Sequence, residues 1–180
     1  MLLPDENDLT FLFEGDRRQA DLFIEKHKPL FEEGQWMDDV EEMAEEYATE
    51  ELIPIVFSFV FGVTIDWREY DDEIVRLFGA RLPDETVDVE QTDEGLLVTY
   101  NGRSHPIRLS FSGGDRYITI RAFNEIIKPT YEIRLFQGSY MSDTHDFLVL
   151  RGERWAELER RYPGRMAEMF TIIDDTVDFP

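Results

Sequence analysis

Only one stretch of this chain gathers acid–base chemistry compactly: Ser142-Asp143-Thr144-His145-Asp146. A histidine flanked by carboxylates can act as a general base whose acidic neighbour holds its tautomer, or as part of a His/Asp metal pair. Asp143, His145 and Asp146 are therefore the candidate catalytic residues, for a small hydrolase-like or metal-dependent enzyme. A hydrolase also needs a nucleophile and an oxyanion site, and no motif here supplies either. A catalytic metal needs about three protein ligands, yet His27 and His105 stand far from His145 in no ligand spacing. The plainer reading makes Ser142, Asp143 and Thr144 turn residues bonded to their own backbone, with His145 at the surface. Cysteine is absent, which removes thiolate nucleophiles, disulfides and Cys-ligated metals together. No cofactor is implied.

A second constellation is purely ionic. From Glu32 to Glu51 the chain carries ten carboxylates and no Lys or Arg. On a helix, Asp38–Glu42, Glu41–Glu45, Glu42–Glu46 and Glu46–Glu50 stand four apart and face one way, each like-charged pair costing about 0.2–0.5 kcal/mol. A sequence shaped for folding alone would intersperse the two signs. Trp36, Asp38, Asp39, Glu41, Glu42, Glu45, Glu46, Tyr47 and Glu50 accordingly form the candidate partner-binding set, carboxylates for steering and aromatics as anchors. The implied partner is a basic protein such as a toxin, a nuclease or a nucleic-acid-binding protein. Nucleic-acid mimicry is a variant of the same idea. Ten charges over 20 residues at a helical rise of about 1.5 Å give a charge per roughly 3 Å of axis, close to the ~3.4 Å phosphate spacing of a DNA strand. The competing reading is a solvated helix face that only keeps an acidic accessory domain soluble.

Charge distribution supports the interaction reading. The net charge is −22, from 40 acidic and 18 basic side chains. Residues 1–90 hold 26 acidic against 7 basic groups, and residues 91–180 hold 14 against 11. Salt adaptation would acidify both halves, so a halophilic origin ranks second. Such a field repels nucleic acid and anionic lipid. Arg151, Arg154, Arg160, Arg161 and Arg165 border one helix, but Glu153, Glu157 and Glu159 interleave with them. Direct nucleic-acid binding is therefore not expected. Acids at the N-terminus do not suit a signal peptide, and the most apolar run, Leu52 to Ile65, falls short of the roughly 20 residues of a membrane span. A cytoplasmic protein with no membrane contact is the expectation.

Weaker motifs read as structure. Gly113-Gly114 lacks the spacing of a phosphate-binding loop. Asp71-Asp72-Glu73 and Asp174-Asp175 lack the alternating acids of a calcium loop. His105-Pro106 reads as the end or kink of a strand.

The elements that must position these groups follow from periodicity. Helices are expected over Asp16 to Phe31, weakened at Pro29, and over Asp38 to Ala48, with Met37, Val40, Met43, Ala44 and Tyr47 at helical spacing, and Thr49-Glu50-Glu51 opens the next element. Leu52 to Phe61 is buried as helix or strand. Val63 to Trp67 is extended, and a short helix runs from Asp71 to Phe78, with Gly79 as its stop. Thr86 to Gln91 pairs with Leu96 to Tyr100, and Asn101-Gly102 turns the chain into a strand from Ile107 to Phe111. A helix carrying Ile120, Phe123, Ile126 and Ile127 ends at Pro129. Strands at Tyr131 to Phe136 and Phe147 to Leu150 flank a loop from Gly138 to Asp146. Glu153 to Tyr162 is an amphipathic helix, and Met166 to Ile173 is strand or helix. The expected fold is α+β in a single domain over 1–180. A helical acidic part, 1–83, packs with a mainly antiparallel sheet from 84–180. The expected function is an acidic inhibitor of a basic partner, an immunity or antitoxin-like protein or a nucleic-acid-mimicking decoy, of the kind bacteria and phages use.

Overall fold

The computed structural model describes residues 3–112 and 115–174. The fold is α+β, with helices mostly in the N-terminal part and antiparallel strands in the C-terminal part. The chain divides into two compact units, one spanning Pro4–Gly62 and the other containing Val63 onward. The division falls ahead of the pattern change near residue 84, because the extended stretch after Gly62 joins the sheet.

The first unit is four helices: α1 (Glu6–Glu14), α2 (Arg17–Glu33), α3 (Met37–Glu46) and α4 (Thr49–Phe61). Sequence periodicity does not reveal α1, whose start is nevertheless written in a capping box between Asp5 and Asp8. A second box, Asp16 with Gln19, opens α2. Pro29 does not end α2, which runs on to Glu33; Pro29 sits on the exposed side while Phe31 beyond it is fully buried. Leu52 to Phe61 resolves as helix, the central one, touched by α1, α2 and α3. Aromatic rings fill the space between them. Phe11 stacks on Phe23 at 4.5 Å, and Phe57 meets Phe61 at 4.9 Å.

The second unit holds β1 (Val63–Asp66), α5 (Asp71–Gly79), β2 (Val87–Thr92), β3 (Gly95–Tyr100), β4 (Arg103–Arg108), α6 (Asp115–Ile127), β5 (Tyr131–Phe136), β6 (Thr144–Arg151), α7 (Gly152–Arg161), α8 (Pro163–Met169) and β7 (Phe170–Ile172). Two antiparallel sheets result, a four-stranded one ordered β1-β6-β5-β7 and a three-stranded one ordered β2-β3-β4. Strand alternation divides β5 between two faces. Tyr131, Ile133 and Leu135 join the core with Phe78 of α5 and Phe123 of α6. On the opposite face, Trp155 of α7 donates its indole N–H to the Glu132 carbonyl at 2.9 Å and meets Phe170 at 5.0 Å.

Two strand starts differ from the periodicity. β4 begins at Arg103 rather than Ile107, because Asn101 and Gly102 both take positive φ and the tight turn pairs Tyr100 with Arg103 at once. His105-Pro106 therefore sits inside β4; an edge strand tolerates the missing N–H. β6 begins at Thr144, so His145 and Asp146 lie in a strand and not in a loop. Gly113-Gly114 and Asp175 fall outside the described residues.

Candidate functional site

The acidic segment is one helix plus the ends of two others. Tyr47 and Ala48 are both extended (ψ 145° and 153°), so the helix stops at Glu46 and a new one starts at Thr49. Glu32 and Glu33 close α2, six carboxylates lie on α3, and Glu50 and Glu51 open α4. Two readings made from the sequence fall with this break. Glu46 and Glu50 do not share a helix, and a uniform charge per roughly 3 Å needs a continuous axis that the chain lacks. The other three like-charged pairs stay within α3, an aggregate cost of about 1 kcal/mol.

The solvent face of α3 survives intact. All ten carboxylates from Glu32 to Glu51 are exposed, while Val40 is buried and Met37, Met43 and Ala44 are half-buried on the inner side. Among the described residues, none of the ten enters an ion pair.

Trp36 and Tyr47 stand at the two caps of α3, both partly exposed. The end of α2 sets Trp36 in place. Gln35 takes φ 60°, its N–H bonds the Glu32 carbonyl at 3.2 Å, and the Trp36 N–H bonds the Phe31 carbonyl at 2.8 Å, a Schellman closure. Gly34 makes room for the indole, since a Cβ there would meet the Trp36 ring at 2.7 Å. The ring stacks on Phe59 at 5.3 Å. Trp36 is thus a fixed aromatic surface, as an interface anchor must be.

Arg17 is the residue that sequence reading passed over. Its Nη2 donates to the Ala44 carbonyl and its Nη1 to the Tyr47 carbonyl at 3.4 Å, while Nε pairs with Asp21 at 3.3 Å. Glu45 and Glu46 sit at the negative end of the α3 dipole, where carboxylates are unfavourable; a guanidinium on the last carbonyls offsets that. No signal of spacing could have found a contact made between two helices.

The second constellation does not assemble as a catalytic dyad. His145 faces inward and is 1% exposed, correcting the expectation of a surface histidine. Its Nε2 lies 3.1 Å from the Tyr140 carbonyl; a carbonyl only accepts, so Nε2 carries the proton. Burial holds the imidazole below its ordinary pKa, reinforced by nearby Arg116 and opposed by the Tyr140 carbonyl and Asp146. Asp146 points to the other side of the strand, where Thr64 donates to it at 2.6 Å. Asp143 is exposed on the preceding turn. The ring is oriented by a backbone carbonyl, not by a carboxylate, and sits with Tyr117 and Phe147, 6.0 and 6.3 Å away.

Among the described residues, no group of three or more His, Asp or Glu side chains could hold a metal ion, and no helix is long and apolar enough to cross a membrane. Compared with protein-family models, curated proteins and solved structures, the chain matches none.

Proposed function

We propose that this chain is a binding protein that neutralises a basic protein partner, in the manner of an immunity protein or antitoxin, and that it works in the cytoplasm. The observation that carries this is the exposed, internally unpaired carboxylate face from Glu32 to Glu51, capped by Trp36 and Tyr47. Like charges crowded on one helix cost folding energy; a cationic surface laid against them would return it. Free carboxylates steer encounter, and pinned aromatics supply the short-range contacts that hold a complex. The enzyme alternative built on Asp143, His145 and Asp146 has no comparable support, since His145 is buried, Asp146 bonds Thr64 on the other side of the strand and Asp143 is exposed on the turn before it. Mimicry of a nucleic acid loses its spacing argument with the break at Tyr47.

The test is capture of partners at low and at physiological salt. A second bait carries Asp38→Asn, Glu41→Gln, Glu42→Gln, Glu45→Gln and Glu46→Gln. The expected result is a basic protein that the parent retains and the variant loses, with an association rate that falls steeply as salt rises. Empty captures at both salts, or equal recovery by both baits, would overturn the proposal.

A further inference from the structure

We infer that the end of the four-stranded sheet formed by Asp66, Trp67 and Asp143 is a docking platform for an arginine side chain of a protein partner. It shares with the proposed function only the cationic nature of that partner, and it lies on the other unit of the chain.

The platform is built where two antiparallel strands finish. Asp66, the last residue of β1, pairs with Thr144, the first of β6, and the Trp67 N–H donates to the Asp143 carbonyl at 3.2 Å. The Asp66 carboxylate accepts from the Arg68 N–H at 2.8 Å and its carbonyl from the Glu69 N–H at 3.0 Å. This turn leaves Trp67 52% and Tyr70 76% exposed, and Met141, just ahead of Asp143, 82% exposed. These are three of the nine large apolar side chains that the described residues leave open to solvent. Trp, Tyr and Met at a surface are the composition of an interface core rather than of a solvated turn.

Charge decides what such a surface takes. Asp66 is about half exposed and Asp143 is exposed. Anionic ligands are repelled there, and a second copy of a chain with net charge −22 is disfavoured. An exposed indole with carboxylates on the residue before it and on the strand-end residue bonded to its backbone suits a guanidinium, which stacks flat and keeps its N–H groups for the acids. The chain already displays that chemistry on itself. Arg68 lies over the Trp67 ring at 5.0 Å with Nε 3.6 Å from Asp66. Its side chain is 73% exposed and the ion pair is beyond hydrogen-bond length, so a partner's arginine can displace it.

The test is an NMR titration of the full chain with an oligo-arginine peptide at low salt, and separately with oligo-lysine. The chain has three tryptophans, so the indole N–H of Trp67 can be assigned by substitution. Arginine peptide is expected to shift that indole signal more than lysine peptide. Trp67→Leu should weaken arginine-peptide binding about two- to fivefold, the exposed cation–π range, and Arg68→Ala should strengthen it. Unchanged thermal unfolding of Trp67→Leu shows that the fold is not at issue. Shifts confined to α3 overturn the platform and leave the proposed function standing. Shifts confined to the Trp67 region support the platform and count against α3. Equal responses to both peptides, or none, overturn the platform.

Discussion

Arg134 is a buried guanidinium on β5, held by Glu132 at 2.7 Å and Glu159 at 2.8 Å and stacked over Trp155 at 4.5 Å. Removing one member of such a group strands the others in a poor solvent, whereas an apolar replacement of similar length does not waste the space. Arg134→Ala should cost about 3 kcal/mol in urea unfolding, discounted from the fully buried case because Glu159 is half exposed. Arg134→Met should cost clearly less. Equal losses would show that packing of the side chain contributes nothing and the ionic contacts everything. The two inward histidines give a pH signature. His27 sits between Phe23 and Phe61, and burial, then the neighbouring Lys26, hold it below its ordinary pKa; burial does the same to His145. The unfolded chain therefore binds more protons than the folded one below about pH 6.5, so stability falls as pH drops through that window. His27→Phe should flatten the decline between about pH 7 and pH 5, read as the urea midpoint at each pH; an unchanged slope would mean that His27 is protonated without penalty. Sequence exposed these residues unevenly. The type and position of His145 were plain, but its inward direction depends on where β6 begins, and that is set by pairing with Ile65 across the sheet.

At the scale of elements, helix ends decided what could be read. Capping boxes and the Asn101-Gly102 turn are local codes, legible without a fold. The break at Tyr47-Ala48 carries no glycine or proline; the helical spacing that ends at Ala48 marks it, yet four-residue spacing alone still pairs Glu46 with Glu50 across it. Gln35 shows the same limit in miniature. Gly34 precedes it and is the expected left-handed residue, yet Gly34 stays at φ −76° to admit the Trp36 ring and Gln35 takes φ 60° instead. Gln35→Gly should therefore stabilise the chain by about 0.5–1 kcal/mol, and Gln35→Val should destabilise it. Gly34→Ala should expose Trp36, seen as a red shift of its fluorescence. If Gln35→Gly is neutral or harmful, the side chain makes a contact worth more than the backbone strain. Arg17→Ala should destabilise α3 by about 1 kcal/mol through its freed carbonyls.

For the molecule as a whole, the charge belongs unequally to the two units. Residues 4–62 hold 17 acidic and 4 basic side chains, and residues 63–180 hold 23 and 14. Cations in the second group are largely engaged within their own unit, as in Arg151 with Asp84 at 2.7 Å and Arg154 with Glu157 at 2.8 Å. Self-repulsion should therefore concentrate in the helical unit, and salt should relieve it there first. The Debye length shrinks from ~30 Å at about 0.01 M to ~8 Å at about 0.15 M, so most of the gain should come below physiological ionic strength. With about 1 kcal/mol stored in the α3 pairs, the melting point of that unit should rise by about 4–8 °C over this range. Trp36 reports on it, while Trp67 and Trp155 report on the sheet unit. The variant neutralised at Asp38, Glu41, Glu42, Glu45 and Glu46 should begin at a higher melting point and respond weakly to salt. A halophilic protein would behave otherwise, with both units gaining together and continuing to gain into molar salt. A uniform response of that kind would make the carboxylate face a solubility device, and the case for a cationic partner at α3 would go with it.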